Sequence, residues 1–215
     1  MTPPILTNKL WFPNVDETNA DGLLAIGGDV SLERLLLAYK NGIFPWYNNN
    51  LPLWWHPNPR FVLFPQQLIV SKSMLQLIKK NTFQFTINAA FKQVMQHCQK
   101  IKRLGQDGTW LNDDMIDAYT NLHQLGIAHS AEVWKDNKLV GGLYGIKMGK
   151  IFFGESMFSY ESNASKYALI KYVQQLIAEG IVLIDCQVYT THLESLGATM
   201  IDRKKFMSIL KQYIV

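Results

Sequence analysis

Three stretches of this 215-residue chain carry side chains at odds with their surroundings. In LIDCQV, Asp185 closes an apolar run, where a carboxylate without a partner is expensive to bury, so it needs a partner or a task. Strand alternation sends Asp185 and Gln187 to one face, aiming a carboxylate and an amide at a common centre. The plainer reading is a helix-capping aspartate beside a solvent-facing glutamine, and spacing by itself favours it. In FFGESMFS, Glu155 interrupts an apolar strand next to Gly154, with Phe153 and Met157 on its own side of the chain. An acid so placed can bind an amino group, while the flanking Phe and Met can hold an unbranched or aromatic side chain, although residues in this pattern are more often ordinary core. The third set is aromatic: Trp46 in GIFPW, Trp54 and Trp55 in LWWHPNPR and Trp110 in GTWL, on loops or element ends where indoles can stack on bases. For Trp54 and Trp55 a packing role between two parts of the chain is the simpler expectation.

Several chemistries lack their residues. The five histidines and two cysteines form no H-E-x-x-H or paired C-x-x-C, and no G-x-S-x-G or Walker sequence occurs, which argues against metal sites and nucleotide hydrolysis. Cys98 and Cys186 lie too far apart to suggest a disulfide scaffold and read as buried thiols of a reducing compartment. No apolar stretch suggests a signal peptide or a membrane span, so a cytoplasmic protein without membrane attachment is expected, as a monomer. The net charge of +4, from 21 basic and 17 acidic residues, permits a polyanionic partner without demanding one. Basic residues cluster at Lys79 and Lys80, from Lys92 to Arg103, and at Arg203 to Lys205, where solvated helix faces are the simplest reading.

These residues need a scaffold. SLERLLLAYKNG reads as a helix with Ser31 as N-cap and Gly42 as stop, and the following proline- and aromatic-rich stretch as rigid extended chain, predicting a domain boundary near residue 63. Residues 1–63 would form a small N-terminal domain and residues 64–215 a larger one. Within the latter, helices are predicted in SMLQLIKK, around Phe91 to Cys98 and in NDDMIDAYTNLHQLG, where Tyr119 shares an apolar stripe. AHSAEVWK, KLVGGLYGIKM and KIFFGES read as an antiparallel meander. A long helix capped by Asn163, the strand IVLIDCQV, a short helix and a last helix from about Arg203 complete an α+β fold with a mixed, mostly antiparallel sheet.

GLLAIGGDVSLERLLLAYKNGIFPW, LWWHPNPR, GTWL, AHSAEVW, LVGGLYG, FFGESMFS, NASKYAL, LIDCQV and HLESLGA, in this order, resemble one bacterial family, the leucyl/phenylalanyl-tRNA protein transferases. The resemblance runs from about Gly22 to beyond Arg203. It implies a small N-terminal domain on a C-terminal domain like that of N-acetyltransferases (the GNAT fold). Such acetyltransferases bind coenzyme A on a glycine-rich turn, whereas the corresponding SMFSYESNAS has no glycine, so no cofactor is expected.

By the same resemblance, Asp185 and Gln187 would orient and deprotonate the α-amine that attacks the aminoacyl ester, a carboxylate working through a polarised amide. Trp46 and Trp110 would stack on the 3′-terminal adenosine of the tRNA, with Tyr119 nearby. Phe153, Met157, Leu143, Leu169 and Ile184 would line a pocket for leucyl, phenylalanyl and, less well, methionyl groups, and Glu155 would contact the substrate's polar end. The implied partners are aminoacyl-tRNA and proteins beginning with Arg or Lys, which the reaction marks for degradation. A GNAT-like acyltransferase using acyl-CoA or a cell-wall peptide acceptor, and a tRNA-binding module without catalysis, are the alternatives; loss of turnover on replacing Asp185, with tRNA binding kept, separates enzyme from module.

Overall fold

The computed structural model describes residues 2–47, 51–101 and 111–214. A small sheet comes first. β1 (Ile5–Leu6) and β2 (Leu23–Gly27) pair in parallel, α1 (Leu32–Lys40) follows, and β3 (Phe44–Pro45) and β4 (Leu53–Trp55) complete the order β1-β2-β4-β3. Ser31 caps α1 by accepting the Arg34 amide, as its sequence predicts. Arg34 is itself buried, paired with Asp29 and donating to the Thr7 and Lys9 carbonyls, so it ties the extended N-terminal segment to the helix.

β5 (Arg60–Leu63) belongs to the second sheet, so sheet membership changes between Trp55 and Arg60, a few residues before the boundary expected at residue 63. Then come α2 (Lys72–Lys79), β6 (Gln84–Ile87), α3 (Phe91–Lys100), α4 (Asp113–Gln124), β7 (Ala128–Lys135), β8 (Lys138–Met148), β9 (Ile151–Ser159), α5 (Ala164–Ala178), β10 (Leu183–Gln187), α6 (Thr191–Glu194), β11 (Thr199–Ile201) and α7 (Arg203–Tyr213). The sheet order is β11-β5-β10-β9-β8-β7-β6, antiparallel except between β9 and β10. This is the mixed, mostly antiparallel sheet of an α+β fold.

The predicted meander is present. Asp136 and Asn137 both adopt positive φ, as a two-residue hairpin between β7 and β8 requires. Asn163 precedes α5 as expected, but in a left-handed conformation and without a side-chain cap. The first turn of α5 instead presses on β8 at Gly141, where an added Cβ would lie 2.6 Å from the Ala164 Cβ. Glu132, a buried acid in β7, accepts from Ser130 and Thr86 and from the Ala90 amide ahead of α3, whose N-terminus lacks a cap of its own.

Apolar side chains cover both faces of the large sheet. On one face α3, α4 and α7 merge with the N-terminal unit in a single core containing Tyr39, Trp54, Tyr119, Phe153 and Phe206. The other face carries α2 and α5, with Phe152, Leu169, Tyr172 and Ile184. Among the described residues no helix is long and apolar enough to cross a membrane.

Candidate active site

β9 and β10 stay in register for only three pairs, ending at Phe153 opposite Asp185, and then part. A cavity of about 500 Å³ occupies the opening. It draws residues from both faces of the sheet: Phe44, Trp46, Glu155, Asp185 and Gln187 from the side of the N-terminal unit, and Leu143, Phe152, Met157, Leu169 and Ile184 from the side of α5.

Two irregularities place these side chains. In β9, Tyr144 pairs with Ser156 and Gly145 with Gly154, which leaves Glu155 as the extra residue of a β-bulge. The bulge shifts the alternation. Phe153 stays on the face of the N-terminal unit, its ring 5.2 Å from that of Tyr39, while Met157 crosses to the face of α5. Phe153, expected in the pocket wall, therefore packs in the opposite core, and its neighbour Phe152 holds the wall position. In β10 a second bulge falls between Asp185 and Gln187 opposite β5, and Gln187 takes a positive φ of 64°. The Asp185 Oδ1 accepts from the Gln187 backbone N–H at 2.9 Å, which satisfies a donor freed by the bulge.

Asp185 is fully buried and gripped by Arg60. Nε donates to Oδ1 at 2.8 Å and Nη2 to Oδ2 at 2.6 Å, a bidentate pair, and Nη2 also donates to the Gly42 carbonyl. The guanidinium lies between two rings, 4.7 Å from the centre of Phe44 and 4.8 Å from that of Phe206. The aspartate is thus neither a helix cap nor free to move. Arg60 went unnoticed in the sequence, although RFVLF and VLIDC form a complementary pair: two apolar runs, each with one charge of opposite sign.

Gln187, also buried, turns its amide away from Asp185 and donates to Glu155 Oε1 at 2.7 Å. The other carboxylate oxygen of Glu155 accepts from Tyr119 at 3.3 Å, and the Tyr119 and Tyr39 hydroxyls share a hydrogen bond, so α1 of the N-terminal unit reaches the site through two phenols. Burial pushes the Glu155 carboxyl up, and the charge of Asp185 pushes the same way. Hydrogen bonds from Tyr39, Tyr119 and Gln187 act against them, and the balance falls at about 8. Burial likewise raises both tyrosine hydroxyls well above their ordinary value. A carboxyl that titrates near neutrality at a cavity wall can take up or release a proton during a reaction.

Trp46 lines the cavity and is 37% exposed, with its carbonyl accepting from the Trp55 indole. Trp54 is buried and packs against Phe12. Tyr119 has no exposed surface and meets the site through its hydrogen bond to Glu155 and its ring contact with Tyr144. Trp110 lies outside the described residues. Burial raises the Cys186 thiol. Among the described residues no cluster of histidine, cysteine or carboxylate side chains is arranged to hold a metal ion.

The model of the leucyl/phenylalanyl-tRNA protein transferase family matches residues 62–211, and that of the family's N-terminal domain matches residues 28–58. The chain belongs to this transferase family. A leucyl/phenylalanyl-tRNA protein transferase of Flavobacterium johnsoniae is 57% identical over 207 residues, covering 96% of this chain and 98% of the relative. Its counterpart in Flavobacterium psychrophilum is 53% identical over 208 residues, covering 96% and 99%. Like these transferases, the chain is an enzyme of the aminoacyltransferase class. Among solved structures, a GCN5-related N-acetyltransferase from Kribbella flavida aligns with a TM-score of 0.39 and 10% identity, over 67% of this chain and 55% of its own. The two family models meet between residues 58 and 62, where the transferase chain leaves the small sheet for the large one.

Proposed function

We propose that this enzyme moves a leucyl or phenylalanyl group, and less efficiently a methionyl group, from aminoacyl-tRNA to the α-amino group of proteins beginning with Arg or Lys, marking them for degradation. The observation that carries the reading is a single cavity with an apolar wall on one side of the sheet and the Glu155–Gln187 pair on the other. An apolar acyl side chain without a branch at Cβ suits the wall of Leu143, Phe152, Met157, Leu169 and Ile184, and the partly exposed Trp46 suits stacking on the terminal adenine of the tRNA. The enzyme would act in the cytoplasm, as a monomer and without a cofactor.

The amine attacks the ester carbonyl, the carbon–nitrogen bond forms, and the carbon–oxygen bond to the ribose breaks. A proton leaves the nitrogen and one must reach the departing oxygen. Glu155 is placed to accept the first and return it to the leaving group, while Gln187, held through its own amide by Asp185, orients the nucleophile. The resemblance assigned deprotonation to Asp185 acting through Gln187. The hydrogen bonds favour Glu155 as the carboxylate that the glutamine amide serves, with Asp185 and Arg60 as its buried footing.

The test is transfer of labelled leucine from Leu-tRNA to a peptide beginning with Arg, with a Gly-initial peptide as control, by wild type and by Glu155→Gln and Asp185→Ala. Transfer to the Arg peptide alone, lost in both variants while tRNA binding persists, supports the reading. A folded wild type that transfers nothing overturns it.

A further inference from the structure

Two residues past Gln187, the chain presents an aromatic ring that the reaction as described leaves unused. Tyr189 is 47% exposed, yet its ring is fixed: it rests on Phe61 at 5.3 Å between centroids, and its hydroxyl donates to Glu194 Oε2 at 2.7 Å. Glu194 closes α6 in an exposed position, with its second carboxylate oxygen holding no hydrogen bond among those described. A half-exposed aromatic ring thus stands beside a carboxylate with acceptor capacity to spare. That pairing takes up a cation, above all a guanidinium, which can lie on the ring and bond the carboxylate at its edge.

Its place relative to the site gives the pairing a ligand. Two residues of chain span at most about 7 Å, so the Tyr189 backbone lies within that distance of Gln187, and Val188 and Thr190 on either side line the cavity. For an acceptor whose α-nitrogen meets Gln187 and Glu155, the first side chain can span such a gap when it is as long as that of arginine or lysine. The carboxylate also argues against an RNA phosphate at this spot.

We infer that Tyr189 and Glu194 form the subsite that receives the cationic side chain of the acceptor's first residue. The inference rests on the aminoacyl-transfer reading and gives its acceptor preference a physical seat. Glu155 takes the α-amino group, and the Tyr189–Glu194 pair takes the side-chain charge.

Peptides beginning with arginine and with citrulline, its neutral near-isostere, test this, with wild type, Glu194→Gln and Tyr189→Leu compared in the same transfer assay. In wild type the arginine peptide should have the higher kcat/KM. Each variant should lower that value roughly five- to tenfold for arginine and leave citrulline and the KM for Leu-tRNA unchanged, the scale of one exposed ion pair with a cation–π contact. Tyr189 lies in the exposed link between β10 and α6 and Glu194 at the exposed end of α6, and unchanged Leu-tRNA kinetics will show that the fold is intact. An arginine-to-citrulline ratio that stays the same in both variants overturns the subsite while leaving the transferase reading in place. Wild type inactive toward every peptide overturns that reading and the subsite with it.

Discussion

Arg60 and Asp185, 125 residues apart in the chain, form a bidentate ion pair with almost no solvent contact, and this pair fixes the backbone of Gln187. Removing one partner strands the other charge in a dry interior. Asp185→Ala should therefore cost about 3 to 5 kcal/mol of stability as well as transfer activity. Replacing both residues with leucine should restore most of the stability in urea unfolding but none of the activity. A double variant no more stable than the single one would show that the pair contributes by more than mutual neutralisation.

Glu155 gives the enzyme a pH signature. Its folded value of about 8 lies above its ordinary 4.5, so the stability it contributes is fully present below pH 4.5 and is lost as pH rises through 8. Measured against Glu155→Gln, wild-type stability should decline from about pH 4.5 and level off above pH 8. As the proton acceptor in transfer, Glu155 must be ionised, so its contribution to rate should rise over the upper part of the same range. Carboxyl carbon NMR of labelled glutamate should find one signal, absent in Glu155→Gln, that titrates near 8.

Tyr39 and Tyr119 enter the same titration, because their hydrogen bonds favour the charged form of Glu155. Tyr39→Phe should move that NMR titration to higher pH and displace the pH dependence of transfer in the same direction. A loss of activity without displacement would assign Tyr39 to packing alone.

His56 is buried beside Arg60, donates from Nδ1 to the Gly42 carbonyl when neutral, and is pushed down to about 3, first by burial and then by the Arg60 and Arg203 charges. A depressed histidine contributes stability that is present above its unfolded value near 6.5 and is lost as pH falls toward 3. His56→Gln should flatten this part of the acid-unfolding curve. Equal acid sensitivity in wild type and variant would assign the transition to other groups.

The β9 bulge separates two adjacent phenylalanines by function. Phe152→Ala should alter the ratio of leucine to phenylalanine transfer, since it enlarges the acyl pocket. Phe153→Ala should cost about 3 to 5 kcal/mol of stability and leave that ratio unchanged, because its ring lies in the opposite core.

Much of the scaffold could be read from residue spacing: the meander, the helices flanking it and the capped α1 all follow from period and punctuation, whereas for Glu155 spacing by itself favours ordinary core packing. What spacing concealed was parity. A strict alternation of two placed Phe153, Glu155 and Met157 on one face, and one inserted residue divided them. Arg60 escaped for another reason: ion-pair partners far apart in the chain are joined by topology, and no local pattern announces which strands will be neighbours. The oppositely charged apolar runs around Arg60 and Asp185 were the one available hint.

The same separation governs when the enzyme can exist. β7, β8 and β9 are joined by two-residue turns and need only local contacts to form, whereas the site also requires Tyr39, Arg60 and Tyr119 to meet partners beyond residue 150. Contacts of such long reach are the slow ones in folding. As the chain emerges from a ribosome, Arg60 waits for the last fifth of the sequence to bring its counter-charge, so a chain cut short before β10 would lack both Asp185 and Gln187 and never acquire its chemistry.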